Sequence, residues 1–168
     1  TMANTYVAIA TVTVGSGGAS SITFSSIPQT YTDLLVKVST RSQGAQNLIQ
    51  YTFNGTSGNV SGRYLLANPA NSPAVTSGLY DPSILQNQNG FTTSTFASNE
   101  IYIPNYSSST INKSSSVDAV QETNATSSAL WLQANLWSST AAITSITITD
   151  SLNFAQYSTA TLYGIKNS

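Results

Sequence analysis

Apolar residues along this chain recur at every second position in short runs, and no run sustains the three-and-four spacing of a helix. From Thr5 to Val14 the alternation of Val7, Ile9, Val12 and Val14 slips once around Ala10 and Thr11, which predicts a strand with one bulge or bend. Gly15, Ser16, Gly17 and Gly18 predict a turn. Ser21 to Phe24 follows as a strand with Ile22 and Phe24 inward, ended by Ile27-Pro28 because proline brings no N–H to a ladder. Leu34 to Thr40 sets Leu34, Val36 and Val38 against Leu35, Lys37 and Ser39, the pattern of a half-buried antiparallel strand. Leu48 to Phe53 and Arg63 to Leu66 read as further strands, separated by Asn54-Gly55 and Gly58, residues that favour tight turns.

The pattern then lapses. Residues 67 to 99 contain Pro69, Pro73 and Pro82 with no sustained period, and predict a long irregular loop region. Alternation returns at Ile101 to Ile103, Val117 to Gln121, Ala129 to Leu136, Ile143 to Thr149 and Ala160 to Ile165. In the third of these, Leu130, Leu132, Ala134 and Leu136 form the row expected to face inward, leaving Trp131, Gln133, Asn135 and Trp137 on the opposite face. Two indoles with amides between them suit stacking on sugar rings or packing into a neighbouring subunit. A central strand with both faces in the core is the third reading. Short β-rich runs without a helical period predict an all-β chain, an antiparallel β-sandwich or jelly roll, with residues 1–168 as a single domain.

Composition narrows the function more than the fold. With 168 residues, 40% of them hydrophobic, and with nine Tyr, five Phe and two Trp, the chain can bury a sizeable core. Charged residues are only 7%, so the polar surface must come largely from 28 Ser and 23 Thr. Domains that stay soluble and apart carry a surface about a quarter to a third charged. A hydroxyl-rich exterior suits packing against copies or a lattice; an extracellular domain with a polar surface is the alternative.

Lys37, Arg41, Arg63, Lys113 and Lys166 are scattered, giving no basic stripe for phosphates, so no nucleic-acid partner is expected. No apolar run of about 18 residues predicts a membrane span. The natural start is expected at Met2, after Thr1, with no secretory leader read there. The sequence has no Cys and no His, which excludes disulfides, thiolate chemistry and the commonest general base and metal ligand. Asp33, Asp81, Glu100, Asp118, Glu122 and Asp150 remain for acid chemistry. Asp118 and Glu122 share a strand face but lie more than about 10 Å apart, too far for a two-carboxylate glycosidase on one strand. The reading is a non-enzymatic protein with no catalytic, cofactor or metal site. Asn54, Asn59, Asn105, Asn112 and Asn124 match the glycosylation acceptor pattern at a frequency expected by chance, and are read as unmodified.

Four segments resemble a family of small jelly-roll structural proteins of tailed bacteriophages. They are Ile22 through Pro28 to Leu34 with the strand ending in Arg41-Ser42; Phe53-Asn-Gly55; Ile101-Tyr-Ile-Pro-Asn-Tyr106 with Lys113 behind it; and Ala142 to Ile148 leading through Asn153-Phe-Ala to Ser158-Thr-Ala-Thr-Leu-Tyr-Gly-Ile-Lys166. Residues 67 to 99 match no part of the pattern. The resemblance implies a component of the virion surface, made in the host cytoplasm. The expected role is a capsid decoration or cement protein contacting the major capsid protein and itself, with a homotrimer as the default on a quasi-symmetric lattice. A tail- or head-fibre module that binds host surface glycans is the alternative, with Trp131, Trp137, Tyr80 and Tyr106 as candidate contact residues. Strands that begin close to Met2, leaving no long shaft, favour cement over fibre. No catalytic residues or cofactors carry over.

Overall fold

The computed structural model describes residues 5–68, 81–124 and 128–166, and the backbone alone of 71–78. Within them lie twelve strands and no helix: β1 (Tyr6–Thr13), β2 (Ala19–Phe24), β3 (Asp33–Thr40), β4 (Leu48–Phe53), β5 (Val60–Asn68), β6 (Asn71–Gly78), β7 (Ser83–Leu85), β8 (Ala97–Ile103), β9 (Lys113–Glu122), β10 (Ser128–Trp137), β11 (Ile146–Phe154) and β12 (Thr159–Ile165). They form two sheets. The wide one runs β1-β12-β3-β8-β9-β10-β5-β6 and the narrow one β2-β11-β4-β7, with neighbouring strands antiparallel. Ile22, Phe24, Ile49, Phe53 and Ile148 of the narrow sheet share one buried cluster with Val36, Val38, Ile101 and Leu162 of the wide one, so the chain is an antiparallel β-sandwich.

The clearest alternation in the sequence gives the clearest strand. In β3, Leu34, Val36 and Val38 are buried while Lys37 points out and pairs with Glu100 of β8 at 2.7 Å. The slip in β1 is a register shift between Ala8 and Ala10 in its pairing with β12. Asn54-Gly55 makes a turn with positive φ at both residues (53° and 68°), closed by the Thr56 N–H donating to the Phe53 carbonyl at 3.0 Å. It delivers the chain from β4 in the narrow sheet to β5 in the wide one. The Asn54 side chain also ties down the approach to β11: its Oδ1 accepts from the N–H groups of Thr144 (2.8 Å) and Ser145 (3.1 Å), and its Nδ2 donates to the Ala142 carbonyl (2.9 Å).

The expected irregular region at 67–99 is corrected by the structure, which places β6, β7 and the start of β8 there. Each lacks a sequence signal for a physical reason. β6 contains Pro73, but it is the edge strand of the wide sheet, where a missing N–H is tolerated. β7 spans three residues, too few to show a period. β8 buries polar Asn99 in the same row as Ala97, Ile101 and Ile103, which breaks the hydrophobic alternation. The irregular part that remains, between β7 and β8, is organised by Arg41. Its guanidinium donates to the carbonyls of Asn89 (3.1 Å), Phe91 (3.1 Å), Thr92 (3.0 Å) and Thr95 (3.1 Å).

Segments around Pro28, Tyr106 and Gly164 meet at one end of the sandwich. The Tyr31 ring lies on Gly164 so closely that a Cβ there would sit 2.4 Å from it, and Lys166 Nζ lies 5.8 Å from the ring centroid. The Tyr106 hydroxyl donates to the Pro28 carbonyl and accepts from the Tyr31 N–H. The Ile143 N–H donates to the Tyr106 carbonyl at 2.9 Å, and the Gln29 amide donates to the Ile143 carbonyl at 3.0 Å.

Candidate contact surface and the polar interior

β10 has two faces of nearly equal apolar content, and the structure reverses the expected assignment. Trp131 (6% exposed), Gln133, Asn135 and Trp137 (4% exposed) face the narrow sheet. Leu130, Leu132 and Leu136 face outward. The reason lies on β7. Its backbone bonds to β4 on one side through Pro82 and Gln86, which leaves Ser83 and Leu85 directed at the wide sheet with no strand to meet them. Side-chain amides replace that strand. The Ser83 N–H donates to Gln133 Oε1 at 3.0 Å and the Leu85 N–H to Asn99 Oδ1 at 3.0 Å; Asn99 Nδ2 donates back to the Leu85 carbonyl at 2.9 Å, and Gln121 Nε2 to the Gln86 carbonyl. A buried backbone group without a partner costs about 1–3 kcal/mol, so amides from β8, β9 and β10 are drawn inward against the preference of the leucines.

A second polar group lies among the same strands. The Tyr51 hydroxyl, fully buried on β4, is 2.9 Å from Ser115 Oγ of β9 and accepts from Asn135 Nδ2 of β10 at 3.1 Å. Burial raises the phenol pKa well above its ordinary value. A folded-state pKa above the unfolded one means that the group's contribution is complete below pH about 10 and is lost as pH rises further. Tyr51→Phe is expected to cost about 1–2 kcal/mol at neutral pH, by leaving Ser115 and Asn135 short of a partner, and to reduce the loss of stability above pH about 10. Urea unfolding of both proteins across the alkaline range checks this.

Of the candidate contact residues, Trp131 and Trp137 are core, and so is Tyr106, whose exposure is 0%. The Trp131 ring stacks on Tyr64 of β5 at 3.9 Å between centroids, and Trp137 lies 5.7 Å from Phe53 across the sheets. Tyr80 lies outside the described residues. The acids are dispersed into local duties. Asp33 accepts from the Tyr102 hydroxyl and the Asn105 N–H, both at 2.9 Å; Asp81 accepts from Gln50 at 2.8 Å; buried Asp150 accepts from Gln86 at 3.0 Å; Glu122 caps the N–H groups of Thr123 and Asn124. Asp118 points outward. Lys113 is buried, its ammonium donating to the carbonyls of Ile111 (2.7 Å) and Thr140 (3.1 Å), and burial lowers its pKa.

What the reversal of β10 leaves outside is an apolar face, which sequence reasoning assigned to the core. Leu130, Leu132 and Leu136 are joined by Val120 of β9 and Leu65 of β5, each between 37% and 43% exposed. In register, Val120, Leu130 and Ala67 lie abreast, Leu132 is flanked by Asp118 and Leu65, and Ala134 by Ser116 and Arg63. The signal available beforehand was the presence of two apolar rows on one strand, of which a sandwich buries one. Fold and surface together define the class: an antiparallel β-sandwich with a hydroxyl-rich exterior and one apolar sheet face. No family model matches the chain, and no curated protein or solved structure matches it.

Proposed function

We propose that the chain is a structural component of a bacteriophage virion, a capsid decoration or cement protein that holds the head shell through contacts with the major capsid protein and with its own copies. The observation that carries this reading is the outward leucine face on a protein with few charges. An apolar patch of a few hundred Å², about the size of the largest on a typical monomer, is often a contact site. The resemblance of the segments around Pro28, Tyr106 and Gly164 supplies the particle, and their mutual packing at one end of the sandwich makes them a coherent unit. The receptor-binding alternative loses three of its four candidate contacts, because Trp131, Trp137 and Tyr106 are internal and offer no stacking surface to a sugar.

Imaging of the intact particle tests the proposal. Density for this sandwich on the head shell is the expected result. Density confined to a tail or fibre tip, or its absence from purified particles, would overturn it.

A further inference from the structure

The leucine face has the charge pattern of a self-complementary interface. Strands β9, β10 and β5, spaced by about 4.8 Å, together with the ten residues of β10, give a face about 14 Å by 33 Å, or on the order of 475 Å². Two copies face to face would bury on the order of 950 Å², close to the roughly 1,000 Å² that a specific interface needs.

Charge then selects the arrangement. Arg63 on β5 and Asp118 on β9 flank β10 on opposite sides, in register with Ala134 and Leu132. Both are exposed, and among the described residues neither makes an ion pair or hydrogen bond; Lys37 and Glu100 form the single ion pair there. A two-fold axis parallel to β10 carries β5 of one copy over β9 of the other. Arg63 then faces Asp118 of the second copy two residues along the strand, about 7 Å and within reach of an arginine side chain, and the contact occurs twice. A two-fold axis across the strands would instead set β5 over β5 and bring no opposite charges together.

We propose that this face binds a second copy of the chain, across a two-fold axis parallel to β10, with the leucine rows apposed and Arg63 of each copy beside Asp118 of the other. The pair rests on the same leucine face as the virion reading, but the two fail separately: a chain absent from purified particles can still dimerise, and a chain that is monomeric in solution can still sit on the head shell. It replaces the three-fold ring that the phage resemblance implies for contacts in solution.

Sedimentation of the purified chain and four variants tests it, with circular dichroism confirming that each is folded. The wild type is expected to be a dimer. Leu132→Asp, at an outward position, is expected to give a folded monomer. Arg63→Asp and Asp118→Arg are each expected to weaken association at least about tenfold, and the double variant, with the charges exchanged, to recover most of that loss. A wild-type monomer or trimer, or a Leu132→Asp protein that still dimerises, would overturn the interface. A double variant as weak as the single ones would overturn the two-fold arrangement.

Discussion

Replacing Asn99 by leucine is expected to lower the stability of the chain by about 3 kcal/mol, a fall of roughly 6–12 °C in melting temperature for a protein of this size. The two side chains are similar in volume, so the packing of β8 survives and the loss is polar. Asn99 serves both backbone groups of Leu85, accepting at 3.0 Å and donating at 2.9 Å, and also donates to the Val38 carbonyl at 3.3 Å. Leucine leaves the Leu85 N–H and carbonyl buried with no strand to meet them. Ser98→Ala, on the exposed side of the same strand, should stay within about 0.5 kcal/mol of wild type. Thermal melts of the two variants side by side decide the matter. Equal melting temperatures would mean that the amides lining β7 contribute nothing.

Trp131→Ala is expected to be larger still, about 3–5 kcal/mol, as for other buried aromatic truncations. It removes the stack on Tyr64 and the contact of the indole N–H with Gln133 Oε1 at 3.4 Å, the oxygen that also receives the Ser83 N–H. Two effects therefore act at once, a cavity beneath β5 and a loosened amide in the β7 edge. Urea unfolding should show a much lower midpoint with the slope retained. A variant of unchanged stability that had lost affinity for a glycan would contradict the buried placement of this indole and restore the sugar-stacking reading.

These residues also show what the sequence disclosed and what it withheld. β3 and β4 were legible because their inward and outward rows differ in polarity, as at Val36 against Lys37. The turn at Asn54-Gly55 was legible because few residue pairs tolerate positive φ twice in succession. β10 was misread for the opposite reason. Leucine is more apolar than a row of tryptophan and amide, so ranking by hydrophobicity placed the leucines inside. The information that reverses this sits about 50 residues away, in the unpaired backbone of Ser83 and Leu85, and local pattern does not reach it. β7 itself was invisible, because a strand of three residues has no period to read. The candidate surface suffered from the same inversion. Its leucine row on β10 reads as inward from the sequence, and Val120 and Leu65, on other strands, carry no local sign that they join it.

The order of strands bears on when this chain becomes a protein. β12 lies between β1 and β3, and β11 between β2 and β4, so the two C-terminal strands are inserted between partners laid down far earlier in synthesis. Until a ribosome has released residues 146–165, both sheets stand open at a gap one strand wide, with ladder groups unsatisfied on either side. Closure of the sandwich is thus a late, long-range event, of the kind that slows folding and leaves edges exposed to misassembly. The final strands act as keystones, and a nascent chain missing them presents four raw edges instead of a finished surface.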